Sequence, residues 1–429
     1  MLIPRPSYLS QLISHLHNGQ IKIITGIRRC GKSFLLFELF YKYLLSQGID
    51  EDQIIALSLD DDLYESYRDP HELSRFIRSK ITDSNRQYYL LLDEIQFAIS
   101  RQELRNTDEP VRLYNVLNRL LKLSNVDIYV TGSNSKMLTK DILTEFRGRG
   151  DAIAMHPLSF KEIHDCFGGE RSLLYEDFAA YGGLPQVWKK PDEVAKTAYL
   201  QSLFQEVYYK DIAERYGVTL PEILNELTDV LCSSVGSLTN ASKLSKTLKS
   251  VKGENVSSNT IASYLNYLTE FFLFRCAKRY DVKGKRYFEY PSKFYCEDLG
   301  LRNAHLNFRQ QEESHIMENI VFNELIHRGY AVDVGILDIL EADSQGRRHQ
   351  KRCEIDFVAS KGPQLFYIQV ALHAEEGDKK TQEERPLLAL KDAFQRIIIT
   401  KTMAHPWIDD HGIHHVGLYD FLLNTQFLA

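Results

Sequence analysis

Long apolar runs are missing from this sequence: no uninterrupted stretch approaches the roughly 20 residues that cross a bilayer as a helix, and no membrane contact is expected. The first residues, MLIPRPSYLSQLISHLHNGQ, show neither the apolar core nor the small-residue cleavage site of a secretory signal. Cysteine is sparse and scattered. The six (Cys30, Cys166, Cys232, Cys276, Cys296, Cys353) form no C-x-x-C pair, which argues against a zinc ribbon or a dithiol redox site. Reduced, mostly structural thiols fit a cytosolic setting, so a cytoplasmic location is expected. A strong excess of charge is also lacking. The formal net charge of −6 gives no global pull toward nucleic acid and leaves any such contact to a local basic patch. Internal repeats and low-complexity tracts are absent.

What remains is an ordinary globular composition, 44% hydrophobic and 26% charged, over 429 residues, too many for one compact core. Residues 1–156 alternate β-rich runs with helical patterns. Strands are expected at Ile21–Thr25, Ile54–Leu59, Tyr88–Asp93, Val126–Thr131 and Ala152–His156, with helices near 32–47, 70–81, 111–123 and 135–146. That alternation predicts an α/β fold, a doubly wound parallel sheet. Residues 157–310 read as helices followed by a basic, aromatic ribbon, the plan of a helical lid and winged helix-turn-helix. Residues 311–429 read as helix, three-stranded meander, helix and strand, an α+β unit.

The chemistry begins at Gly26-Ile27-Arg28-Arg29-Cys30-Gly31-Lys32-Ser33, a complete G-x-x-x-x-G-K-[ST] loop between a strand and an amphipathic helix that opens through Phe34. Its glycines let backbone N–H groups point inward at phosphate oxygens, and the helix adds its positive dipole end. Lys32 supplies a point charge for the β- and γ-phosphates, and Ser33 an oxygen for Mg²⁺. The spacing therefore predicts a nucleoside triphosphate, ATP, with Mg²⁺. Cys30 has either a thiol made acidic by its lysine neighbour or the plain role of a small loop residue.

The strand Tyr88-Tyr-Leu-Leu-Leu-Asp93-Glu94 ends in two carboxylates. Asp93 is expected to hold the Mg²⁺ shell, and Glu94 to orient and polarise the attacking water. A third strand ends in Thr131-Gly-Ser133-Asn134-Ser135, where a polar side chain, Asn134 first, either senses the γ-phosphate or caps a helix. In Phe146-Arg147-Gly148-Arg149-Gly150, Arg149 is the candidate to neutralise transition-state charge, with Arg147 second. A surface turn paired with acids is the alternative.

With GIRRCGKS, LLLDEIQ (90–96), TGSNS (131–135), the RGR turn, HPLSFKEI (156–163), YGGLP (181–185), YCEDLGLRNA (295–304) and EIDFVA (354–359), the chain resembles a prokaryotic family nearly end to end. The family is that of AAA-type P-loop ATPases with a winged-helix segment and a restriction-endonuclease-like C-terminal domain of unknown function. The resemblance implies an ATPase. It also places nuclease-type positions at Glu318, Asp356 and an acid-x-lysine element, which here reads Gln369-Val-Ala371. Alanine has no group for a scissile phosphate, so a catalytically silent C-terminal domain is expected, with Glu354 and Asp356 on one strand face as a residual metal site and Lys379 and Lys380 nearby.

On the helix 258–272, Ile261, Leu265, Leu268 and Phe272 form an apolar stripe, while the opposite face carries no Lys or Arg. Lysines 243, 246, 249 and 252 and the ribbon's Lys278, Arg279, Lys283, Lys285 and Arg286 suit contact with phosphate backbones better than base reading. DNA or RNA bound through this patch and a ribbon that packs on other domains are the two readings. The leading functional expectation is a Mg²⁺-dependent ATPase whose nucleotide cycle moves the later domains on nucleic acid. A nucleotide-gated switch acting on a protein partner or as a homo-oligomer, and an ATP-driven nuclease, stand as alternatives.

Overall fold

The computed structural model describes residues 3–100, 102–103, 111–132, 150–253, 255–310, 312–342, 348–372, 378–402 and 405–428. The chain divides into two compact units. One comprises Met1–Pro157 with Leu184–Lys189 and Glu270–Phe272; the other comprises Leu158–Gly183, Lys190–Thr269 and Leu273–Ala429.

In the first unit, β1 (Ile21–Thr25), β2 (Ile54–Ser58), β3 (Tyr88–Asp93), β4 (Val126–Gly132) and β5 (Gly150–Ala154) form a sheet in the order β2-β3-β4-β1-β5. All its pairings are parallel. β1, β3 and β4 are buried along their whole length, which is why they read as unbroken β-rich runs. Leu57, Leu90, Leu92, Ile128 and Val130 pack against Leu73, Ile77, Leu113 and Leu117 of the covering helices. The expected α/β parallel sheet is present. β5 starts two residues earlier than expected, at Gly150 rather than Ala152, and pairs Ile21 with Gly150. The one cation within β1, Lys22, is buried on Asp127 of β4 and lies 5.1 Å from the centre of the Tyr129 ring. Burial lowers its pKa, and Asp127 opposes that shift.

The second unit holds helices Phe160–Phe167, Arg171–Tyr181, Glu193–Ser202, Pro221–Ser233, Ala241–Lys252 and, up to Thr269, Ser258–Glu270, then a mixed sheet. Its strands are β6 (Phe274–Asp281), β7 (Arg286–Cys296), β8 (Ala331–Ala342), β9 (Arg348–Lys361), β10 (Gln364–Ala371), β11 (Gln395–Thr400), β12 (Trp407–Ile408) and β13 (Ile413–Gly417). The order is β12-β13-β11-β10-β9-β8-β6-β7. Of the two readings of the ribbon β6–β7, the pairing with β8 matches the one in which it packs on other parts of the chain. Arg279, Tyr280 and Asp281 of β6 pair in parallel with Val334, Gly335 and Ile336 of β8, which makes the ribbon the edge of the C-terminal sheet. The meander, the helix Asp378–Leu388 and the parallel strand β11 follow the expected α+β plan. Helix Glu313–His327 covers one face through Met317, Val321 and Leu325.

Two motifs without assigned chemistry dock on each other here. Asp298 accepts the backbone N–H of Gly183 at 2.7 Å and caps helix Leu299–His305 through Leu301 N–H at 3.0 Å. Gly182, at φ +71°, leaves no room for a side chain, since a Cβ would meet the Asp298 carboxylate at 2.4 Å. The Asn303 amide reaches the carbonyls of Ala179 and Ala180, both at 2.9 Å.

Candidate active site

The phosphate loop curls between β1 and the helix that starts at Lys32. A Cβ on Gly26 (φ +146°) would lie 2.0 Å from the Met155 carbonyl oxygen, so only glycine fits this turn. Arg29 and Gly31 also take positive φ, +67° and +106°. The back of the loop is pinned by Arg5, whose guanidinium donates to the carbonyls of Cys30 (3.3 Å) and His156 (2.9 Å). Cys30 is fully buried, with Sγ 3.6 Å from the Met155 carbonyl, so it serves the loop's packing. Ile27 is buried as well, while Arg29 is exposed and Arg28 half-buried. The stretch Leu184–Lys189 packs on this loop within the first unit: Lys189 Nζ lies 5.9 Å from the centre of the Phe34 ring.

Lys32 is buried, and its ammonium donates to the carbonyls of Gly26 (3.0 Å) and Ile27 (3.1 Å). The Ser33 hydroxyl hydrogen-bonds to Asp93, whose Oδ2 also accepts from Ser58 at 3.4 Å. Asp93 Oδ1 accepts from the Thr131 hydroxyl, and that same hydroxyl oxygen accepts the backbone N–H of Glu94 at 3.0 Å. Burial raises the Asp93 pKa first and the Glu94 charge adds to it, while Thr131, Ser33 and Lys32 pull it back. Glu94 sits at φ +51°, ψ +50°, a left-handed conformation that costs a non-glycine residue about 1 kcal/mol or more. The Gln96 amide donates to its Oε2.

Lys32, Ser33, Asp93 and Glu94 are thus brought to one end of the sheet. Thr131, quoted in the sequence only as part of a strand end, is what joins the last two. Arg5 was not singled out at all. Ser133, Asn134, Arg147 and Arg149 lie outside the described residues.

A family model described as an AAA domain matches residues 18–164. A protein of Haemophilus influenzae is 36% identical over 428 residues, covering 98% of this chain and 99% of its own. The chain belongs to an AAA P-loop ATPase family. A protein of Methanocaldococcus jannaschii is 27% identical over 418 residues, 94% of this AAA-family chain and 85% of its own. A second model, a domain of unknown function, matches residues 172–312. Among solved structures, the ORC1 protein of Aeropyrum pernix in complex with DNA is 12% identical, with a TM-score of 0.33 over 72% of this chain and 93% of that one. Cdc6p from Pyrobaculum aerophilum is 14% identical, with a TM-score of 0.30 over 75% and 96%. Likeness of that degree assigns no ligand. No helix among the described residues is long and apolar enough to cross a membrane.

The C-terminal acids meet a cation that the sequence did not advertise. Lys293 of β7 places its ammonium 2.9 Å from Glu318, 2.8 Å from Glu354 and 3.9 Å from Asp356. Tyr295 donates to Glu318 at 2.7 Å. The three carboxylates raise the Lys293 pKa against the effect of burial, and burial with Glu318 nearby raises that of Asp356. Gln369 is turned to the backbone N–H of Asp356 (3.3 Å) and to Glu383 (2.8 Å). The side chains of Lys379 and Lys380 lie outside the described residues.

Proposed function

We propose that this chain binds ATP with Mg²⁺ on the phosphate loop and hydrolyses it. The observation that carries the proposal is the single hydroxyl of Thr131, which ties Asp93 to Glu94 beside Ser33 and the Lys32 ammonium. The donor set fits the ligands. A hydroxyl and a carboxylate are hard oxygen ligands of the kind Mg²⁺ takes, and a buried ammonium in a loop of inward N–H groups suits a polyphosphate. Mg²⁺ bound by Ser33 and Asp93 supplies charge neutralisation to the β- and γ-phosphates.

Lys32 exchanges its two carbonyl partners, Gly26 and Ile27, for phosphate oxygens. Glu94 holds the attacking water by its carboxylate, with Gln96 fixing one oxygen and Thr131 fixing the backbone. Asn134 and Arg149 keep their proposed parts as γ-phosphate sensor and transition-state cation. Nucleic acid is the proposed load, contacted by Lys243, Lys246 and Lys249. These are exposed on a helix whose Leu244 and Leu248 face inward.

Phosphate release with and without DNA or RNA tests the proposal. Glu94→Gln is expected to bind ATP and lose about 10²–10⁴ in turnover. Lys32→Ala is expected to lose tight ATP binding, and tight binding by that variant would sink the loop assignment.

A further inference from the structure

A second polar cluster lies on the C-terminal sheet, on the face covered by helix Asp378–Leu388, and plays no part in the nucleotide site. In the turn after β12, Asp409 Oδ1 accepts the backbone N–H groups of His411 (2.9 Å) and Ile413 (2.8 Å). Its other oxygen, Oδ2, faces Nε2 of His415 on β13 at 3.2 Å. Glu384, on the helix, brings Oε1 to 4.0 Å from the same nitrogen. One donor atom from each of the three residues lies within 4.8 Å of the others. The His415 side chain is 1% exposed, and its ring is stacked flat on Trp407, with centroids 4.3 Å apart and planes 9° apart.

We propose that Glu384, Asp409 and His415 bind a divalent transition metal of the zinc type. Two carboxylates converge on one buried imidazole, a donor set that a divalent cation can join. Donor atoms about 2.0–2.2 Å from a shared ion stand roughly 3–3.5 Å apart, so the cluster closes on zinc by small side-chain shifts. The mixed nitrogen and oxygen set selects against Mg²⁺ and Ca²⁺, which prefer oxygen alone. Asp409 is already oriented by its backbone bonds and His415 by Trp407, the kind of outer support that metal ligands need. The three ligands come from three segments, so the ion would staple the edge hairpin β12–β13 to the helix. The preceding residue on that helix, Glu383, accepts from Gln369 at 2.8 Å, so the staple also bears on the neighbour of the Lys293 cluster.

The test uses the full-length, nucleotide-free chain after chelation and dialysis. Co²⁺ is titrated by its visible ligand-field absorption, and Zn²⁺ by competition with a chromophoric chelator. One equivalent is expected, with a thermal shift on Zn²⁺ addition. Glu384→Gln and Asp409→Asn keep side-chain size and are expected to weaken that equivalent tenfold or more and to abolish the shift, while ATP binding stays unchanged. An ordinary His415–Asp409 ion pair would give no saturable Co²⁺ or Zn²⁺ binding. That result, or binding identical in wild type and both variants, overturns the proposal.

Discussion

Thr131 donates to Asp93 and, through the same oxygen, accepts the N–H of Glu94, so one side chain on β4 ties the Asp93 carboxyl at the end of β3 to the backbone of the acid that follows it. The strain of Glu94's left-handed backbone is held by that contact. Thr131→Ala is expected to leave the buried Glu94 N–H without this acceptor, to cost about 1–3 kcal/mol in stability, and to lower ATP turnover more than ATP affinity. Thr131→Ser keeps the hydroxyl and should retain most of the turnover. Steady-state phosphate release and nucleotide titration on both variants decide it. Equal losses in Ala and Ser would show that the methyl group, not the hydroxyl, matters.

Much of the first unit was legible because its information is local. Parallel strands buried on both faces read as β-rich runs, and the phosphate loop is contiguous from Gly26 to Ser33. Pairing across strands is not local. Thr131 and Asp93 are 38 residues apart in sequence, and nothing in TGSNS says which hydroxyl turns back. The same limit hid Lys293, which lies in an aromatic ribbon away from the acids it neutralises. A two-stranded pattern carries no sign of a third partner, so the sequence leaves both readings of the ribbon open. The β6–β8 pairing supplies that partner. Asp409 and His415 were missed because β12 is only two residues long and the hairpin that joins them has no period to detect.

The docked pair of motifs gives a pH signature. Full burial pushes the Asp298 carboxyl up to about 6, against the pull of the N–H groups of Gly183, Leu301 and Gly300. A carboxyl whose folded pKa exceeds its unfolded value of about 3.9 holds its proton more tightly in the folded state. Its contribution to stability is therefore greatest below about pH 4 and is lost as pH rises toward 6, by about 3 kcal/mol at most. Asp298→Asn keeps one accepting oxygen in place of two, so it is expected to retain either the helix cap or the Gly183 contact but not both, at about 1–2 kcal/mol, and to flatten the stability profile between pH 4 and 6. Denaturant midpoints of the second unit across that range check it. A slope that is the same in the variant would assign the pH dependence elsewhere.

Lys293 gives the sharpest test of whether the C-terminal acids are a cation site closed by the chain itself. Its ammonium is buried against Glu318, Glu354 and Asp356, so removing it leaves mutually repelling carboxylates without their shared cation. Lys293→Met, similar in length and uncharged, is expected to cost about 3–5 kcal/mol at neutral pH. The sign of its pH dependence follows from the groups left behind. Burial, with Glu318 close by, already raises Asp356, and loss of the lysine raises it further. Carboxyls with raised folded pKa values regain stability as pH falls, so the variant should recover toward wild type on acidification. The wild type, whose lysine stays charged throughout, should gain far less. Urea unfolding of both proteins from pH 7 to pH 5 measures the difference. A variant no less stable than wild type at pH 7 would mean that the three acids are compensated without Lys293.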